Sequence, residues 1–271
     1  MTQRDPQILD LEQIIRSRAG DKAKYIPQFL INWFKKIAHQ DFINGYLKEG
    51  YVGVEFCENA IKYLGVEIEI EGLENIPTDG RMLTFASNHP LGAIDGVTLG
   101  AIIGKRFDGN IRYLMNDLLM NLKGMAPLGV PINKLGGQAR NLPKLISEAF
   151  QSDNHILVFP AGLCSRKIDG KIQDLPWGKA FVTQSRKSGR DIIPIYFDGQ
   201  NSERFYRLAQ WQKRLGLKFN FAMMLLPDEM YRSTGRKYKI TFGKPISIDS
   251  LDKSKTDAEW AQEIRKKVYS L

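Results

Sequence analysis

The chain has 271 residues, of which 43% are apolar and 25% are charged, and its formal net charge is +9. This composition is typical of a soluble globular protein, and the positive charge favours an anionic partner such as nucleic acid, an anionic lipid surface or a phosphorylated substrate. Cys57 and Cys164 are too few for a disulfide framework, so we expect a reducing, cytoplasmic location. The longest uninterrupted apolar run, Phe221 to Leu226, is far shorter than the roughly 20 residues needed to span a bilayer, which predicts a soluble or peripheral protein.

Residues 1–65 are predicted to form an N-terminal helical segment, whose clearest part is YIPQFLINWFKKI at 25–37. Its apolar residues recur at helical spacing, and lysines surround them. Two alternatives follow: the apolar stripe packs on the main domain, or the helix lies in the interface of an anionic membrane. The residues of the stripe are Ile26, Phe29, Leu30, Trp33, Phe34 and Ile37.

Residues 66–271 are predicted to form one α/β domain. Short apolar runs bounded by turn residues indicate strands, and helical stretches lie between them. Alternation of this kind predicts a largely parallel central sheet flanked by helices. The predicted strands are 66–72, 82–87, 111–115, 155–160, 192–197 and 238–248, and the predicted helices lie near 94–104, 138–151, 176–188, 200–215 and, from a capping box at Thr256 and Glu259, at the end of the chain.

The stretch FASNHPLGAIDGV, at 85–97, carries the main candidate for chemistry. His89 follows a predicted strand, and Asp95 falls at the start of a predicted helix. Positions six apart do not share a helix face, so the two side chains meet only if Pro90 and Gly92 turn the chain. A histidine oriented by a carboxylate suits removal of a proton from an alcohol, whereas the alternative is a histidine and an aspartate that only stabilise the start of the helix.

Three other loops are predicted to reach the same edge of the sheet. They are GVPINKLGG at 129–137 with Asn133 and Lys134, ILVFPAGLCSRK at 156–167, and IIPIYFDGQNS at 192–202. Basic residues and backbone amides at such an edge suit a phosphate or another anionic group.

The order of these four blocks resembles the glycerolipid acyltransferase family, which includes the lysophosphatidate acyltransferases. NHPLGAID, GVPINK, FPAGLCSR and IIPI match the family's Asn-His-x4-Asp block, its Gly-x-x-Phe-Ile-Asp/Asn-Arg-like block, its Phe-Pro-Glu-Gly-Thr-Arg-Ser block and its Val-Pro-Val-like strand, over roughly residues 66–200. The resemblance implies transfer of an acyl group from acyl carrier protein or coenzyme A to a lipid hydroxyl, with no cofactor and no metal. The residues it implicates are His89 as base and Asp95 as its orienter, with Asn88, Lys134, Gly162, Ser165 and Arg166 as substrate-binding residues.

The sequence departs from the family pattern at three points. The first block has five residues between His89 and Asp95 instead of four, which indicates an HPLGxxD variant. In the third block, Ala161 stands in place of Glu and Cys164 in place of Arg. These departures leave the acceptor open between a lysophospholipid and a lyso-aminolipid of the ornithine or glycine type.

The resemblance also sets expectations for partners. A lipid acceptor implies an enzyme on the inner face of the cytoplasmic membrane, held there by the 25–37 helix and the positive charge. Nucleic acid is not expected, because no helix-turn-helix, zinc-finger or RNA-binding signature occurs. The competing hypothesis is a non-catalytic lipid- or anion-binding protein on the same fold.

Overall fold

A seven-stranded sheet forms the centre of the protein in the computed structural model, which describes residues 4–132, 142–216 and 220–271. The helices are α1 (Leu11–Ala19), α2 (Gln28–Ile37), α3 (Gln40–Leu47), α4 (Val54–Leu64), α5 (Ile94–Arg106), α6 (Leu142–Gln151), α7 (Ala180–Ser188), α8 (Glu203–Arg214), α9 (Leu226–Arg232) and α10 (Asp257–Val268). The strands are β1 (Glu67–Glu71), β2 (Leu83–Ser87), β3 (Ile111–Asn116), β4 (Gly129–Ile132), β5 (His155–Val158), β6 (Arg166–Ile168), β7 (Lys171–Gln173), β8 (Asp191–Asp198) and β9 (Lys237–Phe242).

The sheet is largely parallel, which confirms the predicted α/β fold. Its strand order is β1-β9-β8-β2-β5-β3-β4, and β8, β2, β5, β3 and β4 all run in the same direction. Strand β9 runs antiparallel to β8 and parallel to β1. The carboxyl ends of β2, β5 and β8 therefore meet at one edge of the sheet, where sites of open α/β sheets gather.

Three features differ from the sequence-based expectation. The strand predicted at 238–248 ends at Phe242, and beyond it only Ile246 forms a bridge, with Ile192. Strand β4 was not among the predicted strands. Its Pro131 lacks an N–H and is tolerated because β4 is the last strand of the sheet that the described residues form. Strands β6 and β7 form an antiparallel hairpin outside the main sheet that the sequence pattern did not predict.

The two faces of the sheet are covered by separate hydrophobic clusters. Leu83 and Phe85 of β2 belong to one cluster. Ala86 of the same strand belongs to a second cluster, together with Phe181 of α7. This alternation follows from the two-residue period of a strand. All five residues of β2 are buried, as expected of a central strand covered on both faces.

The N-terminal helices differ in how much of their apolar surface is buried. Tyr46 of α3 and Phe56 of α4 lie in the same hydrophobic cluster as the sheet residue Phe85, so these two helices pack on the sheet. In α2, which starts at Gln28 after Pro27, only Ile31 is buried. Other apolar side chains on and just before α2 are largely exposed: Tyr25 (75%), Phe29 (69%), Trp33 (58%) and Leu30 (44%). Half of the predicted apolar stripe is therefore exposed, namely Phe29, Leu30 and Trp33, whereas Ile26, Phe34 and Ile37 are half-buried.

The last helix begins with the predicted capping box. The Thr256 hydroxyl accepts a hydrogen bond from the Glu259 N–H at 3.3 Å, and the Glu259 carboxylate accepts one from the Thr256 N–H at 2.7 Å. We expect Thr256→Ala to lower the free energy of unfolding by about 1 kcal/mol, because one helical N–H loses its partner. Thr256→Ser, which keeps the oxygen, is the control. Equal denaturant midpoints for the alanine variant and the parent chain would contradict the prediction.

Candidate active site

The histidine loop is anchored by Asn88, directly after β2. The Asn88 amide donates from Nδ2 to the Phe197 carbonyl at 2.9 Å, and its Oδ1 accepts the Phe197 N–H at 2.7 Å. Both ends of the amide are used by the backbone of β8, and Asn88 is 2% exposed. Through this amide, Asn88, which the resemblance implicates in substrate binding, joins the loop to the neighbouring strand.

His89 and Asp95 form the predicted pair. Nδ1 of His89 lies 2.9 Å from Oδ2 of Asp95. The chain turns between them with Gly92 at φ 82, a conformation that glycine adopts without strain. The Asp95 carboxylate also accepts the N–H groups of Leu91 at 3.0 Å, Gly92 at 3.2 Å and Gly96 at 2.9 Å, so its position is fixed by the turn that it closes.

The contact with Asp95 determines which nitrogen of His89 can accept a proton. Burial alone would raise the pKa of Asp95. The His89 ring and the turn amides stabilise the ionised carboxylate more strongly, so the net pKa of Asp95 is lowered. An ionised carboxylate only accepts hydrogen bonds, so Nδ1 carries the proton and Nε2 keeps a free lone pair. The ring stacks on Phe159 with centroids 4.1 Å apart, and 17% of the His89 side chain stays exposed.

The charge around His89 favours its protonated form. Burial lowers the pKa of His89, but the Asp95 carboxylate beside it outweighs burial, and the net pKa is raised. Asp174 raises this pKa further, whereas Arg166 lowers it. The imidazolium formed when His89 accepts a proton is therefore stabilised within the site.

The loop after β5 carries the other predicted site residues, and here the contacts differ from expectation. The N–H of Gly162, implicated in substrate binding, donates to the Phe159 carbonyl at 2.9 Å. The hydroxyl of Ser165, implicated in the same role, donates to Asp174 at 2.6 Å, and Ser165 is 1% exposed. Arg166 donates to the Cys164 carbonyl at 2.6 Å and remains half-buried near His89. Arg166 also donates to the Ser165 carbonyl at 3.2 Å, and its charge acts on His89.

Asp174 is a site residue that sequence reasoning missed. Its fully buried carboxylate accepts the backbone N–H of His89 at 3.2 Å and the Ser165 hydroxyl. It follows the unpredicted hairpin and lies 85 positions from His89 along the chain. No local spacing pattern signals such a contact, and the hairpin itself is the only feature that could have drawn attention to it.

A pocket of about 410 Å³ opens beside the histidine loop. Asn88 and Pro90, on either side of His89, line it together with Ser165. Its outer wall carries Lys167, whose ammonium group is 2.6 Å from the Glu203 carboxylate. The pocket is large enough for a polar head group, and the two chain neighbours of His89, though not His89 itself, line it.

The other two histidines have structural contacts outside the His89 loop. Burial lowers the pKa of His155 to about 4, and its Nδ1 accepts the Leu83 N–H at 3.2 Å. His39 contacts Asp228 at 2.8 Å and stacks on Tyr231. Cys164 is buried. Lys134 lies outside the described residues.

Comparisons with known proteins identify the family of the chain. The sequence model of a family described as "Acyltransferase" matches residues 13–271. The lyso-glycine lipid O-acyltransferase of Phocaeicola vulgatus is 52% identical over 266 residues, covering 97% of this chain and 95% of the relative. The enzyme of the same name from Bacteroides thetaiotaomicron is 48% identical over 266 residues, covering 97% of each chain.

A solved structure shows the same fold. The crystal structure of the 1-acyl-sn-glycerophosphate (LPA) acyltransferase PlsC from Thermotoga maritima superimposes with a TM-score of 0.53 at 18% identity, covering 95% of this chain and 86% of that one. The family match extends over nearly the whole chain and confirms the resemblance indicated by the four sequence blocks. The chain therefore belongs to the acyltransferase family and is an acyltransferase.

Proposed function

We propose that this enzyme transfers an acyl group from a thioester to the hydroxyl of a lyso-glycine lipid, with His89 as the base. The geometric observation that carries the proposal is the 2.9 Å contact between His89 Nδ1 and Asp95, which leaves Nε2 as the proton acceptor. The names of the two relatives, each about half identical to this chain, support the acceptor.

The proposed reaction has two steps. Nε2 of His89 takes the proton of the acceptor hydroxyl while the oxygen attacks the thioester carbonyl, and Asp95 stabilises the imidazolium. The tetrahedral intermediate then collapses, the carbon–sulfur bond breaks, and the imidazolium returns the proton to the leaving thiolate. The products are an ester and a free thiol of acyl carrier protein or coenzyme A, and this scheme needs no further cofactor.

The departures in the third block support a lyso-aminolipid over a lysophosphatidate-like acceptor. A phosphate is bound best by several cations and free amides. Here Ala161 and Cys164 replace two polar residues of the block, and the Gly162 amide and Ser165 hydroxyl are used within the protein. The guanidinium of Arg166, whose charge acts on His89, is the cation that we propose for a single carboxylate.

A thioester-consumption assay tests the proposal. The purified enzyme is given acyl carrier protein or coenzyme A thioesters with lyso-glycine lipid, lyso-ornithine lipid or lysophosphatidate, and both the thiol and the acylated lipid are quantified. We expect the highest kcat/KM with lyso-glycine lipid. A preference for lysophosphatidate would reject the acceptor, and the absence of turnover with all acceptors would favour the non-catalytic alternative.

We also propose that α2 holds the enzyme on the inner face of the cytoplasmic membrane. The exposed side chains of Phe29, Leu30 and Trp33 give α2 an apolar surface, and Lys22, Lys24 and Lys36 beside it are exposed. Aromatic residues together with lysines are typical of helices that lie in an anionic membrane interface. No helix in the described parts of the chain has the length and apolarity to cross a bilayer.

Vesicle flotation distinguishes this patch from a general effect of charge. We expect Lys24→Glu/Lys36→Glu to lose most binding to vesicles that contain anionic lipid. The control, Lys187→Glu/Lys253→Glu, makes the same change of net charge at exposed positions on other elements. Equal losses for the two double variants would show that net charge, and not α2, governs binding.

A further inference from the structure

Asp174 combines complete burial with three hydrogen bonds to neutral donors. Oδ1 accepts the His89 N–H at 3.2 Å and the Ser165 hydroxyl at 2.6 Å, and Oδ2 accepts the indole N–H of Trp177 at 2.9 Å. Burial raises the pKa of Asp174 and outweighs these hydrogen bonds, which lower it, so the net pKa is raised. Burying a carboxylate costs free energy unless hydrogen bonds compensate for the lost water. The buried position of Asp174, with a donor for each oxygen, therefore suggests a specific role.

The backbone of Asp174 is held by the end of the chain. Its N–H donates to the Tyr269 hydroxyl at 2.7 Å, and its carbonyl accepts the guanidinium of Arg265 at 2.7 Å. Both partners belong to α10 or follow it directly. The carboxylate is therefore fixed from two sides, by its own donors and by a separate helix.

These contacts hold the main chain of His89 at both of its polar groups. The His89 N–H is bound by Asp174, and the His89 carbonyl accepts the Ser165 N–H at 2.7 Å. Ser165 is itself tied to Asp174 through its hydroxyl. Asp95 fixes the ring of His89 at one nitrogen, but the ring would still move if the His89 backbone moved. Asp174 holds that backbone in place, directly and through Ser165.

We propose that Asp174 is a positioning residue for acyl transfer, because its buried carboxylate locks the His89 backbone and Ser165 so that Nε2 meets the acceptor hydroxyl. The inference depends on the proposed role of His89 as base. The negative charge of Asp174 has a second effect, since it stabilises the imidazolium formed when His89 takes the proton. A misplacement of a reacting group by about 1 Å costs roughly 100-fold in rate, so positioning of this kind matters for turnover.

Asp174→Asn tests the proposal. We expect kcat to fall by roughly 10- to 100-fold while KM for the acceptor changes little, because the base and not the substrate is displaced. We also expect the acidic limb of the pH profile of kcat/KM to move to lower pH, since a charge that raises the pKa of His89 is removed. A purely structural aspartate would not move this limb.

Asp257→Asn is the matched control. Asp257 is also a carboxylate that joins two helices, through Arg186 and Thr183, but it does not contact the His89 loop. We expect this variant to lose stability without a shift of the pH profile. Asp174→Asn with an unshifted profile, and a loss of kcat that matches its unfolded fraction, would overturn the proposal, as would a kcat within twofold of the parent chain.

Two further measurements separate the possible failures. If Asp174→Asn does not fold, Ser165→Ala removes the hydrogen bond between the Ser165 hydroxyl and Asp174. A parental kcat in that variant overturns the proposal. An active His89→Ala enzyme would reject the proposed function itself. An inactive His89→Ala enzyme beside a fully active Asp174→Asn enzyme would reject only the positioning role.

Discussion

Replacing His89 with alanine is expected to lower kcat for acyl transfer by roughly 10²- to 10⁴-fold, which is the usual contribution of a positioned general base. The residue lies at the carboxyl end of β2, its Nδ1 is bound to Asp95, and part of its side chain is exposed. The measurement is acyl-thioester turnover at saturating acceptor, with circular dichroism to show that the fold is retained.

His39→Gln provides the comparison for this experiment. His39 also contacts an aspartate, Asp228, at 2.8 Å, but it joins α3 to α9 and does not contact the His89 loop. We expect His39→Gln to lower the melting temperature and to keep kcat close to that of the parent chain. A His89→Ala enzyme that retains more than about a tenth of the activity would not be consistent with general-base catalysis by His89.

The second large effect is expected for Asp95→Asn. The asparagine amide lacks the negative charge that favours a proton on Nδ1 of His89. The tautomer with a free Nε2 is therefore lost, and kcat should fall by roughly 10²- to 10⁴-fold. The fall should persist at every pH, because it arises from the wrong proton position on the ring. A variant with parental kcat would show that Asp95 does not orient the base.

The same variant should change the pH dependence in a defined direction. The base must be neutral to accept a proton, so activity falls as the pH drops through the pKa of His89. In the parent chain Asp95 raises that pKa against the opposing effect of burial. Without the carboxylate, burial prevails, and the acidic limb of kcat/KM should move to lower pH. A shift to higher pH would contradict this account of the electrostatics.

Features encoded by neighbouring residues could be predicted from the sequence. Three local patterns indicated features that the structure contains. The apolar run around Phe85 is a strand, the capping box at Thr256 starts a helix, and His89 contacts Asp95 six residues later. Each depends on a periodicity or a turn contained within about a dozen residues.

Contacts between distant segments could not be predicted. Asp174 reaches His89 through a backbone N–H, and every residue type except proline presents that group, so no side-chain pattern marks the partner. The Gly162 amide and the Ser165 hydroxyl were assigned to the substrate because a sequence shows that a donor exists and not what it is bonded to. Only the three-dimensional arrangement shows that both are already used.

The two outer strands of the sheet also bear on how copies of this protein meet in a crowded cell. An unpaired strand offers N–H and carbonyl groups to any other extended chain and so invites aggregation. On one side, β1 presents the exposed Glu67, Glu69 and Glu71, and Lys237 and Lys239 of β9 pair with two of them, so an added strand would meet a row of charged side chains. On the other side, Pro131 removes a donor from β4. Each border thus discourages growth by addition of strands, one through charge and the other through a missing hydrogen.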